Sequence, residues 1–287
     1  MYSVEERIDE VAKRLAESDE GRRRYFSDNM NMVPSRKAVI SIIKSIQSLI
    51  FPRYFLIEEA YSETSEKIDR LFYELKRQIS VAYSFSSDRQ VVDTEELAMR
   101  IIDGIPDIKE ALIKDVQAIY EGDPAARSPE EVILCYPGFY AITIYRIAHR
   151  FYVEGIPYIP RMMTEYAHEK TGIDIHAGAT IGDSFFIDHG TGIVIGETTT
   201  IGKNVKIYQG VTLGAKSFEL GDDGNPIKGT KRHPDIGDNC IIYANATILG
   251  GNTKIGDGSV IGASVWITSS VAPGTIVYYG KNKTEKK

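Results

Sequence analysis

Between Ile173 and Ile267 an apolar residue returns at every sixth position, and no other feature of the chain narrows its fold as far. Ile175, Ile181, Ile187 and Ile193 form one series, and Ile195, Ile201, Ile207 and Leu213 a second. Ile236, Ile242 and Ile248 make a third, and Ile255, Ile261 and Ile267 a fourth. The fourth position after an anchor is small or branched, as at Ala179, Val205, Val211, Cys240, Ala246 and Val265, and Gly often follows the anchor directly. A period of six matches neither the 3.6 of a helix nor the 2 of one long strand. It describes short strands and tight corners coiling into a solenoid with parallel strands around a dry interior.

The first 171 residues follow another rule. Val4, Ile8, Val11 and Leu15 recur at helical spacing, as do Ile68, Leu71, Phe72, Leu75 and Ile79, and then Ile108, Leu112, Val116 and Ile119. Such stripes are ordinarily core. Ser128-Pro129-Glu130-Glu131 is a helix start, and Gly155-Ile156-Pro157 ends that helix. A last helix runs from about Tyr158 to Thr171, with Gly172 as its stop. The expected organisation is α+β: an N-terminal bundle of about six helices over 1–171, then a solenoid over 172–276 and a C-terminal tail over 277–287, disordered from Lys281 onward. Residues 214–235 break the repeat as a polar excursion from one corner, a common place for function.

Composition removes several function classes. With 34 basic and 40 acidic residues the charge is −6 and well mixed, so no nucleic-acid footprint is expected. The longest uncharged run, Val132 to Tyr145, is too short to span a bilayer. Cys135 and Cys240 form no disulfide framework, and the N-terminus lacks the plan of a signal peptide. A cytoplasmic protein is expected.

Three charged clusters interrupt the repeat: Asp174-Ile175-His176, Asp188-His189-Gly190-Thr191-Gly192 and Lys231-Arg232-His233-Pro234. Taken singly each has a plain explanation. A corner His is usually solvated, a corner Asp usually bonds turn amides, and Lys231-Arg232 would be ordinary loop charge. Their coincidence, in a chain with five His, points to chemistry. His189 suits general-base work at neutral pH. Asp174 lies fifteen residues earlier, close to one turn of three hexads, where a carboxylate would orient the ring. His176, His189 and His233 could also be offered as zinc ligands, but each has an Asp or Arg beside it and the expected close His pair is missing, so no metal is expected.

At these residues the chain resembles the serine O-acetyltransferases of the hexapeptide-repeat acyltransferase superfamily. The likeness rests on Thr171-Gly-Ile-Asp-Ile-His176, on Asp188-His-Gly-Thr-Gly-Ile-Val-Ile-Gly-Glu-Thr198, on Gly210-Val-Thr-Leu-Gly214 and on Arg232-His-Pro234, in that order. It is dense over 172–271, looser through Gly122-Asp-Pro-Ala125 and Gly138 to His149, and no more than helical character over the first hundred residues. It implies a left-handed parallel β-helix that trimerises, with active sites between subunits and helical domains that join two trimers into a hexamer. It implies transfer of acetyl from acetyl-CoA, as co-substrate, to L-serine, the first step of cysteine biosynthesis. By the same resemblance His189 is the general base and Asp174 its partner. Asp123 and Asp188 lie near the substrate amine, and Arg232 and His233 lie around its carboxylate.

Zwitterionic serine needs both signs of charge in its pocket, and Arg232 can fork onto a carboxylate. A backbone amide near Gly214 would serve the oxyanion, while Ala215 and Ala244 match coenzyme-lining positions. Lys216, Lys228 and Lys231 of the excursion are candidates for the CoA phosphates. Many members end in an isoleucine that docks into cysteine synthase; this chain ends in Lys287, so a stable complex with that partner is not expected. The alternatives are an acetyltransferase of the same fold for homoserine or a sugar, and an assembly protein whose helical half recruits a partner.

Overall fold

The computed structural model describes residues 3–22, 33–55, 63–86, 91–217, 220–222, 224–278 and 281–283. Among them eight helices precede fifteen strands: α1 Val4–Arg22, α2 Arg36–Ile50, α3 Thr64–Phe85, α4 Thr94–Asp103, α5 Ile105–Gly122, α6 Pro129–Cys135, α7 Pro137–Val153 and α8 Ile159–Thr171. The helix expected from Ser128 onward breaks at Tyr136, because Pro137 has no N–H to continue it. Ser128 caps α6 as expected, its hydroxyl accepting from the Glu131 amide at 3.2 Å. The stripes of α3 and α5 are buried at Leu71, Leu75, Ile79, Leu112 and Ile119. That of α1 is not: Val4, Ile8, Val11 and Leu15 are all more than half exposed, so this stripe is no core of the single chain.

Gly172, in the left-handed region at φ 70°, ends α8 and turns the chain into the solenoid. The first face carries β1 (Asp174–Ile175), β4 (Val194–Ile195), β7 (Thr212–Gly214), β10 (Thr247–Leu249) and β13 (Trp266–Ile267). The second carries β2 (Thr180–Ile181), β5 (Thr200–Ile201), β8 (Asp235–Ile236) and β11 (Lys254–Ile255). The third holds β3 (Phe186–Asp188), β6 (Lys206–Tyr208), β9 (Ile241–Ile242), β12 (Val260–Ile261), β14 (Ile276–Tyr278) and β15 (Lys281–Lys283). Apart from β15, every ladder is parallel. The anchors stack inward as the period requires, Ile175 beneath Ile195, Leu213, Ile248 and Ile267. The parallel β-helix with hexapeptide repeats, behind a helical N-terminal region, is the fold expected from the sequence.

Two details differ. Ile193 does not stack as a fourth anchor: it is buried within a corner, and Ile195 takes the place above Ile175. After Pro273-Gly274 the coil continues, since β14 pairs with β12 and residues 281–283, expected to be disordered, pair antiparallel with β14. Residues 284–287 of that expected tail lie outside the described residues.

The helical region lies on the third face. Gly138 of α7 approaches so closely that a Cβ there would sit 2.6 Å from the Ile187 carbonyl oxygen. Lys206 Nζ donates to the Gly122 carbonyl at 2.7 Å while lying 4.2 Å from the Phe186 ring centroid. These contacts deliver the end of α5 and the start of α7 to the corner that follows β3.

Candidate active site

The corner after β3 is longer than those above it. Ile187 and Ile195 stack under Ile207 and Leu213, yet are eight residues apart rather than six. The two additional residues fall after Asp188, which still pairs with Tyr208, and widen the corner that carries His189. His189 holds φ 55°, a left-handed conformation costly for a side chain with a Cβ, and its side chain is 74% exposed. The same conformation recurs at other corners of the coil, at Ser184, Asn204, Asn239, Asn245 and Ser264, so it belongs to the turn and not to His189 alone. Its Nε2 stands 3.8 Å from Asp188 Oδ1.

The helices complete this cluster. Asp123 is the C-cap of α5, and Tyr136, at the head of α7, donates its hydroxyl to Asp123 Oδ2 at 2.6 Å. That hydrogen bond, joined by the Ala125 amide, holds the Asp123 carboxyl below its ordinary range, and Lys206 and His189 add to the effect. The same bond, with burial, pushes the Tyr136 phenol up to about 12. Asp123, Asp188 and His189 therefore share one locality.

Asp174 opens β1 beneath this corner, where the Gly192 amide donates to the Gly172 carbonyl at 2.8 Å. The coil here holds twenty residues, so Val194 rather than His189 lies directly above Asp174. Stacking is expected from the fifteen-residue count, but that count falls short of three full hexads and the longer corner widens the shortfall, so the stacking does not form. Among the described residues no hydrogen bond or ion pair joins the two side chains.

A second cluster occupies the corner after β4. The Thr198 hydroxyl accepts from the amides of Arg232 and His233 at 3.0 and 3.1 Å, pinning the end of the excursion. His233 Nδ1 accepts from the Thr198 amide at 3.1 Å, which leaves the ring proton on Nε2. The ring packs so tightly on Gly196 that a Cβ there would lie 2.0 Å from Cδ2. Burial first, then the neighbouring Arg232 charge, drives the His233 pKa down to about 4. His233 is thus a neutral donor at neutral pH. Arg232 reaches Glu197 Oε2 with Nη2 at 2.5 Å. Lys231 Nζ donates to the Thr198 carbonyl and to Asp235 Oδ1, so it clamps the root of the loop. His176 stands nearby, its Nδ1 accepting from the Gly178 amide at 3.0 Å and its ring edge-on to Tyr152. Among the described residues no group of three His, Cys, Asp or Glu side chains is placed to hold a metal.

The excursion leaves β7 at Gly214 and returns at β8, folding on itself through the Leu220–Pro226 bridge. It leaves a pocket of about 250 Å³ lined by Lys216, Thr230, Arg232, Gly251 and Thr268. A larger one, about 760 Å³, lies between Glu197, Arg232 and loop residues 225–229. Gly214 and Ala215 belong to this edge of the first face. Ala244 belongs to the other edge, at the corner above His189, where its carbonyl accepts from the Ser264 amide at 2.9 Å.

The two clusters thus flank the first face from opposite edges. At 3.3 Å per strand residue the five steps from Gly192 to Glu197 span roughly 16 Å. Sequence reasoning did not single out Tyr136, Tyr152, Glu197 or Lys206. Glu197 was visible inside the Asp188–Thr198 string, whereas the two tyrosines carry no local signal, since their phenols matter only once the helices dock.

Residues 56–144 match the family described as serine acetyltransferase, N-terminal, and residues 192–218 and 235–269 match the hexapeptide repeat of succinyl-transferase. A plasmid-borne serine acetyltransferase of Synechococcus elongatus is 43% identical over 267 residues, 88% of this chain and 83% of the relative. The serine acetyltransferase of Mycobacterium tuberculosis is 45% identical over 167 residues, 58% of this chain and 69% of that one. Among solved structures, serine acetyltransferase 1 of Entamoeba histolytica in complex with L-cysteine aligns with a TM-score of 0.73 at 40% identity, covering 82% of this chain and 85% of that one. The Neisseria gonorrhoeae serine acetyltransferase in complex with serine aligns at 0.58 and 29% identity, over 85% and 95% of the two chains.

Proposed function

The chain belongs to the serine acetyltransferase family, and from that membership we propose how its own residues carry out the acyl transfer. The reaction moves the acetyl group of acetyl-CoA to the hydroxyl of L-serine, giving O-acetylserine and CoA as the first step of cysteine biosynthesis. His189 takes the hydroxyl proton as the serine oxygen attacks the thioester carbonyl, and returns it to the departing sulfur as the C–S bond breaks. Asp123 and Asp188 accept from the substrate ammonium. Arg232 forks onto the carboxylate, and His233 adds a neutral N–H donor. Asp174, beneath the corner, supplies negative charge to the imidazolium that forms. Acetyl-CoA lies along Gly214 and Ala215 of one chain and Ala244 of the next, with a backbone amide near Gly214 serving the oxyanion.

One observation carries this reading: the acidic pair with His189 and the basic Arg232 stand at opposite edges of one face, too far apart for one serine molecule. Two copies of the chain, set side by side, bring the edges together, so the working unit is at least a trimer with a site at each junction. Paired trimers through the helical region would follow the same logic. Among the described residues no helix is long and apolar enough to cross a membrane, and the two cysteines are free, which fits a cytoplasmic enzyme.

The test is thiol release from acetyl-CoA with L-serine, L-homoserine and a sugar panel, for the wild type and His189→Ala. Serine-dependent release should fall by about 10²–10⁴ in the variant. Wild-type rates in His189→Ala would remove the base, and preference for another acceptor would remove the substrate.

A further inference from the structure

Tyr152 and Glu197 have no part in the reaction as written, yet they are built into the Arg232 cluster. The Tyr152 hydroxyl, on the last turn of α7, donates to Glu197 Oε1 at 3.0 Å, and the other carboxylate oxygen takes Arg232 Nη2. Gly178 keeps this pair in place by having no side chain. A Cβ there would lie 2.8 Å from Tyr152 Cζ and 3.0 Å from Glu197 Cγ. Burial pushes the Glu197 carboxyl up, but hydrogen bonds from Arg232 and Tyr152 outweigh it and hold the group below its usual range. Glu197 is therefore ionised beside Arg232.

The donor count on Arg232 decides what this contact does. A guanidinium has five N–H donors. In this structure one goes to Glu197 and one, from Nη1, to the Thr230 carbonyl at 3.3 Å. The remaining N–H groups can still fork onto a second carboxylate. Glu197 thus orients the guanidinium without consuming it. An arginine at the foot of a long excursion would otherwise lose rotamer freedom each time substrate bound, and pre-orientation removes that cost.

We propose that Glu197, held by Tyr152, is a positioning residue for the acceptor carboxylate: it locks Arg232 in its receiving orientation, and α7 thereby sets how tightly the amino-acid substrate binds. The inference rests on Arg232 as the partner of that carboxylate.

The experiment compares Glu197→Gln, Tyr152→Phe, the double variant and Arg232→Ala with L-serine and with L-serinamide, which has no carboxylate. Glu197→Gln and Tyr152→Phe should each raise KM for L-serine about tenfold, with kcat and KM for acetyl-CoA within about threefold of wild type. The double variant should be no worse than Glu197→Gln alone. With L-serinamide the penalty in kcat/KM should disappear, which a general loss of structure would not produce. An unchanged or lowered KM for L-serine in Glu197→Gln, or an equal penalty with L-serinamide, overturns the proposal. If Arg232→Ala also leaves KM for L-serine unchanged, the Arg232 reading itself fails. If only Arg232→Ala raises it, the positioning role alone fails. Tyr152→Phe removes a single hydroxyl and carries the test should Glu197→Gln fold poorly.

Discussion

Arg146 on α7 grips Asp115 on α5 through two hydrogen bonds, Nε to Oδ2 at 2.5 Å and Nη2 to Oδ1 at 2.8 Å. Asp115 Oδ1 also accepts the Phe185 amide at 2.9 Å, and Arg146 Nη2 donates to the Gly182 carbonyl at 2.9 Å. Both side chains are buried. One ion pair thus joins two helices to the first coil at the corner before β3, the strand that leads to His189.

Asp115→Ala should therefore cost about 3–5 kcal/mol, since it leaves a buried guanidinium without its counter-ion. Asp115→Leu with Arg146→Met should cost much less, because no charge is left stranded. Urea denaturation of the two variants reads this directly, and a loss below about 1 kcal/mol for Asp115→Ala would show that water reaches the pair.

His233 makes stability depend on acid. Its folded pKa, about 4, lies below the ordinary 6.5, so the unfolded chain binds the proton first as pH falls. The contribution is full above about 6.5 and is lost as pH drops toward 4, on the order of 2 kcal/mol. His233→Gln, which cannot titrate, should show a flatter stability profile between pH 7 and 4.5. Parallel profiles for the variant and the wild type would assign the acid sensitivity to other groups.

Tyr136→Phe removes the hydroxyl that holds Asp123. A lost hydrogen bond to a charged group is worth about 1.5–3 kcal/mol, and if Asp123 must then be ordered by substrate, KM for L-serine rises at least tenfold. The Asp123 pKa should rise in the same variant, because the largest influence depressing it is gone. Carboxyl-carbon titration by NMR checks the second outcome independently of turnover.

Complementation tests whether the two edges work between chains. His189→Ala and Arg232→Ala chains should each be nearly inactive. Unfolded together and refolded, they should recover about a quarter of wild-type activity, because one junction in four combines the intact edge of each. A site contained in one chain would recover none.

Much of this was legible in the residues. The hexads at Ile175, Ile201, Ile242 and Ile261 specify strand, corner and inward face, because a six-residue side is a local property of the chain. The charged strings around Asp188 and Arg232 were legible for a related reason: polar groups that interrupt an otherwise uniform repeat need a purpose. The exposed stripe of α1 was not, since spacing marks an apolar face without saying whether another element covers it.

The sequence by itself determined the repeat, the order of helical region and solenoid, and the residue types that can handle a zwitterion and a thioester. Only the tertiary structure decided the partners. The eight-residue step from Ile187 to Ile195 puts Val194 above Asp174 and widens the offset of His189 from that column. Docking of α5 and α7 brings Asp123 and Tyr136 to the same corner as Asp188, and Tyr152 to Glu197. The separation of Arg232 from His189 across one face follows from how whole coils stack. The physical reason is range: a period is set by neighbours along the chain, whereas the distance between two corners is the sum of every coil length and every helix contact between them.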